Sequence, residues 1–340
     1  MRDFLIKRAK RFFSSSSFGG FIFKKITNLG PYRLLVSEKI SRQAALDREG
    51  PFNLIIENSS LCNASCLMCP YRAMKRTKKI MDSETFQKIT ERLKREKLPI
   101  NKIFLSGMGE PLIDPNFINR VKKLKELGFP LRIYTNGSLL TEKISEKLVS
   151  FSVEEINLSF NGADAEEYRR IMGLDFDKTI KNINYLIEAK KKAASRLPRI
   201  QVSLIVLDEN RKGLKKYLAN WQNKVDSVTV SRPHQWGGGV KNIKSEILNA
   251  KFICPCRSLW HTFMIDSSGN FVICCRDYES KFVLGNIKSH SFKQIRKSKI
   301  LKSFQGANLK YRQDCLPKIC KQCNFPYQGG VDWLLPRSLD

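Results

Sequence analysis

The stretch Cys62-Asn63-Ala64-Ser65-Cys66-Leu67-Met68-Cys69-Pro70 sets three thiols on one short loop, with three and then two residues between them. Thiolates so closely spaced can converge on one metal centre. A mononuclear zinc site wants four ligands, usually drawn from two separated pairs, whereas three thiolates on one loop leave a cubane iron–sulfur cluster with one iron that the protein does not ligate. An iron left open in this way is a place to bind a substrate. Zinc is the alternative when these thiols are read alone.

Working outward, short apolar or β-branched runs alternate with Lys- and Glu-rich segments of helical period from residue 51 onward. Candidate strands are Leu54–Glu57, Ile103–Ser106, Leu131–Tyr134, Ile156–Ser159, Gln201–Val206 and Ser227–Val230, with helices expected over 83–97, 115–127, 141–149, 176–195 and 211–223. Strands separated by helices predict an α/β chain whose parallel sheet is covered by helices. Asp82-Ser83-Glu84 has the composition of a helix start and leads into Phe86, Ile89 and Leu93, and Thr141-Glu142 leads into Ile144 and Leu148. The alternation stops near residue 232, and His234-Gln235-Trp236-Gly237-Gly238-Gly239 reads as a boundary loop. The chain therefore divides into a leader over 1–50, a βα region over 51–232 and a cysteine-rich region over 233–340.

Seven of the ten cysteines lie in that last region: Cys254, Cys256, Cys274, Cys275, Cys315, Cys320 and Cys323. Clustered thiols, with no secretory signal pattern, point to metal or cluster ligation in a reducing cytosol and away from a secreted disulfide framework. Twelve residues separate Cys256 from Gly269 and four more precede Cys274, while two separate Cys320 from Cys323. Asp266-Ser267-Ser268-Gly269-Asn270 suits a hairpin turn that would bring Cys256 and Cys274 together. A structural zinc site held by the same four thiolates is the rival to an iron–sulfur cluster.

The chain carries 61 Lys and Arg against 32 Asp and Glu, a formal charge of +29, with 42% apolar residues. That apolar share supports a sizeable core and excludes whole-chain disorder. No run of about 18 uninterrupted apolar residues marks a membrane span. The charge attracts polyanions without naming one, so nucleic acid, anionic lipid and phosphorylated substrates are all admitted. Residues 1–36 hold eight cations, one acid and interleaved Phe4, Phe12, Phe13, Phe18, Phe21 and Phe23. Such a leader suits peripheral contact with an anionic membrane surface, the alternatives being a transit-like address or a plain basic arm.

The spacing of Cys62, Cys66 and Cys69 resembles the signature of the radical S-adenosylmethionine (SAM) superfamily, in which the open iron chelates the amino and carboxylate groups of SAM. Ser106-Gly107-Met108-Gly109-Glu110-Pro111 is similar to the glycine-glycine-glutamate element of that family, where Glu110 would receive the SAM ammonium and Gly107 and Gly109 would let backbone approach the ligand. Tyr134-Thr135-Asn136-Gly137 ends the third strand. Leu158-Ser159-Phe160-Asn161-Gly162 ends the fourth and looks like the ribose-contacting segment, with Ser159 and Asn161 facing the hydroxyls, although many relatives carry Asp at the position of Asn161. The resemblance thus implies Gly107, Gly109, Glu110, Asn136, Ser159 and Asn161 as cofactor contacts. Cys256, Cys274, Cys320 and Cys323 resemble the ligands of a C-terminal SPASM module in its shortened, single-cluster Twitch form, which leaves Cys254, Cys275 and Cys315 as spares that could replace one of them.

The resemblance implies a partial (β/α)6 TIM-like barrel followed by a small cysteine-rich auxiliary-cluster domain. It further implies one 4Fe–4S cluster that binds SAM, one auxiliary 4Fe–4S cluster, a flavodoxin- or ferredoxin-type electron donor, and oxidation or cross-linking of a peptide, a saccharide or an amino sugar. RNA modification by the same chemistry is an alternative, and a non-enzymatic metal scaffold binding nucleic acid is another. His234, with Arg232, is placed near the barrel mouth, where a histidine can serve as acid or base. No other catalytic residue is named by the sequence.

The leader yields the first test. Each cation near an anionic surface contributes about 1 kcal/mol, so the full chain is expected to sediment with acidic but not neutral vesicles at low salt, and removal of residues 1–36 to release it. Equal binding by the truncated chain would reduce the leader to an ordinary basic arm.

Overall fold

Phe52, Leu54 and Ile56 are buried while Asn53 and Ile55 are not, the period-two pattern of a strand, and Phe52–Ile56 forms β1. In the computed structural model, which describes residues 50–240, 256, 258–309 and 313–323, β1 lies inside a nine-stranded sheet. The expected leader over 1–36 and Cys254 fall outside the described residues. On one side of β1 come β2 (Ile100–Leu105), β3 (Leu131–Thr135), β4 (Glu155–Ser159), β5 (Arg199–Ile205) and β6 (Ser227–Ser231), all parallel. Helices α1 (Ser83–Glu96), α2 (Phe117–Glu126), α3 (Glu142–Ser150), α4 (Ala165–Met172), α5 (Phe176–Lys192) and α6 (Leu214–Trp221) fill the crossovers. This is the partial (β/α)6 barrel, its core built from residues such as Leu54, Ile103, Ile133, Ile156 and Val202, all fully buried.

The expected starts are capped as their chemistry requires. The Asp82 carboxylate accepts from the Thr85 amide and the Thr141 hydroxyl from the Ile144 amide, satisfying donors that a helix N-terminus leaves unpaired. Helix α4 is absent from the sequence reading. Its signals are Asp164, which accepts from the Glu167 amide, the Glu167 carboxylate, which accepts from the Ala163 amide, and Gly173, which ends the helix at φ 69°.

The cysteine-rich region is joined to the barrel through the sheet itself. Strand β7 (Thr262–Ile265) pairs parallel with β1 on the side away from β2, and β8 (Asn270–Val272) and β9 (Val283–Asn286) continue antiparallel. The boundary near residue 232 thus marks the end of the βα repeat and not an edge of the sheet. Between β7 and β8 the Asp266 carboxylate accepts from the Ser268 and Asn270 amides, and Gly269 takes φ 82°, the left-handed conformation that glycine adopts without cost. Helices α7 (Ser258–His261), α8 (Phe292–Arg296), α9 (Lys299–Leu309) and α10 (Lys318–Lys321) complete the region. A second apolar cluster of Leu259, Trp260, Ile273, Leu301 and Phe304 forms beside the main core. Among the described residues no helix is long and apolar enough to cross a membrane.

One buried carboxylate ties these parts. Glu57, at the end of β1 and fully buried, accepts from Arg76 at 2.7 and 2.9 Å, from the Met108 amide at 2.8 Å and from the Ser267 amide at 3.0 Å. Arg76 also donates to the Tyr278 carbonyl at 2.6 Å, and its own amide donates to the Glu279 carboxylate. Removing the guanidinium strands a charge in the interior, a loss of about 3–5 kcal/mol. Arg76→Met is therefore expected to lower the urea midpoint of the anaerobically prepared chain strongly. Adding Glu57→Gln should recover part of the loss, since it removes the stranded charge while its single amide oxygen still accepts from one of the two backbone donors.

Candidate cluster-binding site

The cysteine loop leaves the C-terminal end of β1 and rests on α4. The Ser65 and Leu67 amides donate to the carbonyls of Met172 and Ile171, each at 2.9 Å, and these belong to the last turn of α4. The Cys66 thiol meets the Met172 sulfur at 3.4 Å, the Cys62 amide donates to the Tyr71 hydroxyl at 2.9 Å, and the Cys69 amide donates to the Cys66 carbonyl. Cys62, Cys66 and Cys69 are all half-buried. Burial pushes the Cys62 thiol up to about 11, with Glu110 and Cys69 adding to the rise, and it raises Cys66 further, helped by Cys69 and Cys62. Burial also raises Cys69. The three thiols lie close enough for Cys69 to raise both Cys62 and Cys66, and binding a metal would deprotonate them outright.

The strand-end motifs converge on this loop by a polar network. The buried Glu110 carboxylate accepts from the Thr135 hydroxyl at 2.6 Å, the Asn136 amide at 2.7 Å and the Leu112 amide at 3.1 Å. Burial pushes it up to about 7. The Asn136 side chain donates to Asn63 in the cysteine loop at 3.0 Å and accepts from the Ser138 amide and hydroxyl. Glu110 and Asn136 are thus brought together, and Asn136 directly positions the loop. The glycines serve close packing of the chain on itself: a Cβ at Gly107 would lie 2.3 Å from the Glu57 side chain, and one at Gly109 would lie 2.3 Å from the Ser59 carbonyl. Asn161 is buried, accepting from the Ile205 amide at 2.7 Å and donating to the Met172 sulfur at 3.1 Å, while Ser159 is half-buried at the end of β4. Asn161 and Cys66 therefore meet the same Met172 sulfur.

In the cysteine-rich region, Cys256, Cys274, Cys320 and Cys323 line one small apolar cavity, and Cys275 joins them. Cys315 is not among its lining residues. Burial pushes Cys256 up to about 11 and Cys320 up to about 12, and raises Cys274, where the neighbouring Cys275 and Cys256 add to the effect. Among the described residues no group of three or more His, Cys, Asp or Glu side chains has the arrangement of a bare metal-ion site. A ring of soft sulfur donors with apolar walls does fit an iron–sulfur cluster. A larger cavity of about 930 Å³ lies elsewhere, among Glu96, Trp260, Phe263, Lys293, Arg296 and Lys302, and takes in none of these thiols.

The two barrel-mouth candidates, His234 and Arg232, sit in different surroundings. Arg232 is exposed, whereas His234 is half-buried with its Nε2 3.3 Å from the Arg276 guanidinium. Arg276, Trp236, Glu57 and Arg76 escaped the sequence reading because their partners lie far off in the chain. Only Arg276, adjacent to the Cys274-Cys275 pair, carried a local hint.

Comparison with known proteins agrees with this arrangement. The family model described as the Radical SAM superfamily matches residues 57–218, and that of the SPASM iron–sulfur cluster-binding domain matches residues 254–324. The chain belongs to the radical SAM superfamily and carries a C-terminal SPASM domain. Membership brings with it SAM and a 4Fe–4S cluster, and the SPASM domain brings auxiliary iron–sulfur clusters. A tungsten-containing aldehyde ferredoxin oxidoreductase cofactor-modifying protein from Pyrococcus furiosus is 31% identical over 183 residues, 52% of this chain and 50% of the relative. A probable GTP 3′,8-cyclase from Methanothermobacter marburgensis is 34% identical over 130 residues, 38% of this chain and 41% of the relative. The chain thus spans about half the length of these curated relatives. Among solved structures, BtrN in complex with AdoMet and 2-DOIA aligns over 81% of this chain and 94% of its own, at TM-score 0.57 and 20% identity. Streptococcus suis SuiB bound to precursor peptide SuiA aligns over 88% and 76%, at TM-score 0.64 and 16% identity. These two likenesses concern the fold.

Two thiol sites set the expected metal content. Anaerobic reconstitution should load about eight iron per chain, and Cys62→Ala/Cys66→Ala/Cys69→Ala about four. Iron and sulfide assays check both values, and about four iron in the unsubstituted chain would remove the second cluster.

Proposed function

We propose that the chain is a radical SAM oxidoreductase that oxidises or cross-links a peptide or a saccharide, amino sugars included. When bound, the first cluster and SAM supply reductive cleavage to methionine and a 5′-deoxyadenosyl radical, chemistry beyond any side chain, so the protein contributes binding, orientation and exclusion of side reactions. The observation that carries this reading is the short chain of contacts between the two thiol sites. The Trp236 indole N–H donates to the Met68 carbonyl in the first loop, and Arg276 lies over the Trp236 ring and donates to the Cys275 thiol.

The first loop is held for its task by Asn136 and by the carbonyls of α4, and its thiols Cys62, Cys66 and Cys69 are the proposed cluster ligands. Gly107, Gly109, Glu110, Asn136, Ser159 and Asn161 frame the proposed SAM site, with Glu110 and Asn161 acting through the backbone they hold. On β3, Arg132 and Tyr134 alternate with buried Leu131 and Ile133 and so occupy the other face of the strand, where the charges of Cys275 and Arg276 reach Tyr134. That face is our candidate for substrate contact. Four thiolates from Cys256, Cys274, Cys320 and Cys323 leave no open position for substrate, which suits the second site to taking up the electron left on an oxidised substrate. A flavodoxin- or ferredoxin-type protein is the fitting donor for the first site, and the leader supplies the peripheral membrane contact.

Under dithionite, Cys62→Ala/Cys66→Ala/Cys69→Ala is expected to form no deoxyadenosine. Cys320→Ala should still form it, while losing product on any peptide or saccharide that the unsubstituted chain converts. Deoxyadenosine from the triple variant would show the wrong ligands to have been chosen, and zinc in the second site would remove its electron-accepting role.

A further inference from the structure

Among the described residues, Arg276 is the one guanidinium lining the auxiliary cavity. Its Nη1 lies 2.6 Å from the Cys275 thiol, its Nη2 lies 3.3 Å from His234 Nε2, and its central carbon stands 5.5 Å from the centre of the Trp236 ring. Trp236 is fixed in turn by its 3.2 Å hydrogen bond to the Met68 carbonyl. The cation is thus clamped from three sides, in a wall whose other described residues are cysteines, apolar groups such as Ile273 and Phe304, and Ser258.

A guanidinium keeps its charge at every accessible pH. A cubane held by four thiolates is an anion and becomes more negative when reduced. A fixed cation beside it, in a poorly polarisable wall, therefore favours the reduced state, because net charge and hydrogen bonds to sulfur set cluster potentials. We propose that Arg276 is a positioning residue that raises the reduction potential of the auxiliary cluster, biasing the second site toward receiving an electron. This rests on the radical SAM reading above and adds to it a device that makes one of the two sites the better acceptor. Cys275 enters as the fifth thiol of the cavity, held by the guanidinium and left outside the four-thiolate set.

The test uses the full chain with Cys62→Ala/Cys66→Ala/Cys69→Ala, in which the auxiliary cluster gives the iron–sulfur signal alone. Potentiometric titration followed by electron paramagnetic resonance reads its midpoint. Adding Arg276→Gln or Arg276→Met should move the midpoint to more negative values, and Arg276→Lys, which retains the charge, should move it less. An unmoved midpoint in a cluster-loaded Gln or Met variant overturns the role of Arg276 and leaves the radical SAM reading standing. Loss of the cluster from both variants overturns it as well, since the guanidinium would then hold the site together instead of tuning it. Zinc, or no metal, in the parent triple variant would sink the auxiliary-cluster reading and this inference with it.

Discussion

A carboxylate sealed inside a protein must find cations and amides or it does not remain charged, and Glu57 finds both. Its partners come from the strap after the cysteine loop, from the end of β2 and from the β7–β8 turn. One side chain therefore fixes the relative position of four segments that lie far apart in sequence. The absence of a side chain at Gly107 belongs to the same constraint, because any Cβ there would collide with Glu57. The parallel pairing of β7 with β1 then carries this order outward, setting the cysteine-rich region against the barrel through backbone hydrogen bonds.

The cysteine loop inherits its shape from this frame. Its Ser65 and Leu67 amides are satisfied by the last carbonyls of α4, which a helix end otherwise leaves unpaired. Its Asn63 is held by Asn136 and donates to Ser138, and Glu110 in turn holds the backbone of Asn136. Sulfur contacts among Cys66, Met172 and Asn161 extend the support to the end of β4. Such support bears on the proposed role of the three thiols, since ligand geometry at a metal centre is set by what lies behind the ligands.

Between the two thiol sites the chain places Trp236 and Arg276 in direct contact. The loop that the sequence marks as a mere boundary is in fact where the barrel and the cysteine-rich region touch beside both sites. His234 belongs to this junction, facing a permanent cation, which makes it a neighbour of the auxiliary wall before it is an acid or base.

The six parallel strands, five of the helices between them and two helix caps were legible in the amino-acid order, because each rests on short-range periodicity or on residue types at fixed positions. Leu54 to Ile56 is an apolar run, Asp82 and Thr141 are capping residue types, and Cys62, Cys66 and Cys69 sit on one short stretch whatever surrounds them. Helix α4 was missed although Asp164, Glu167 and Gly173 mark its ends, since eight residues between a strand and a longer helix give little periodicity to read. The sequence could not say that Glu110 holds the Leu112 and Asn136 amides and Asn161 the Ile205 amide, nor that Glu57 would meet Arg76 and Ser267. Nor could it show Cys275 joining the other four thiols, or Arg276 standing between the two thiol sites. Those facts arise from approach in space between segments up to 210 residues apart, as with Ser267 and Glu57, and only the folded sheet brings them within hydrogen-bonding distance.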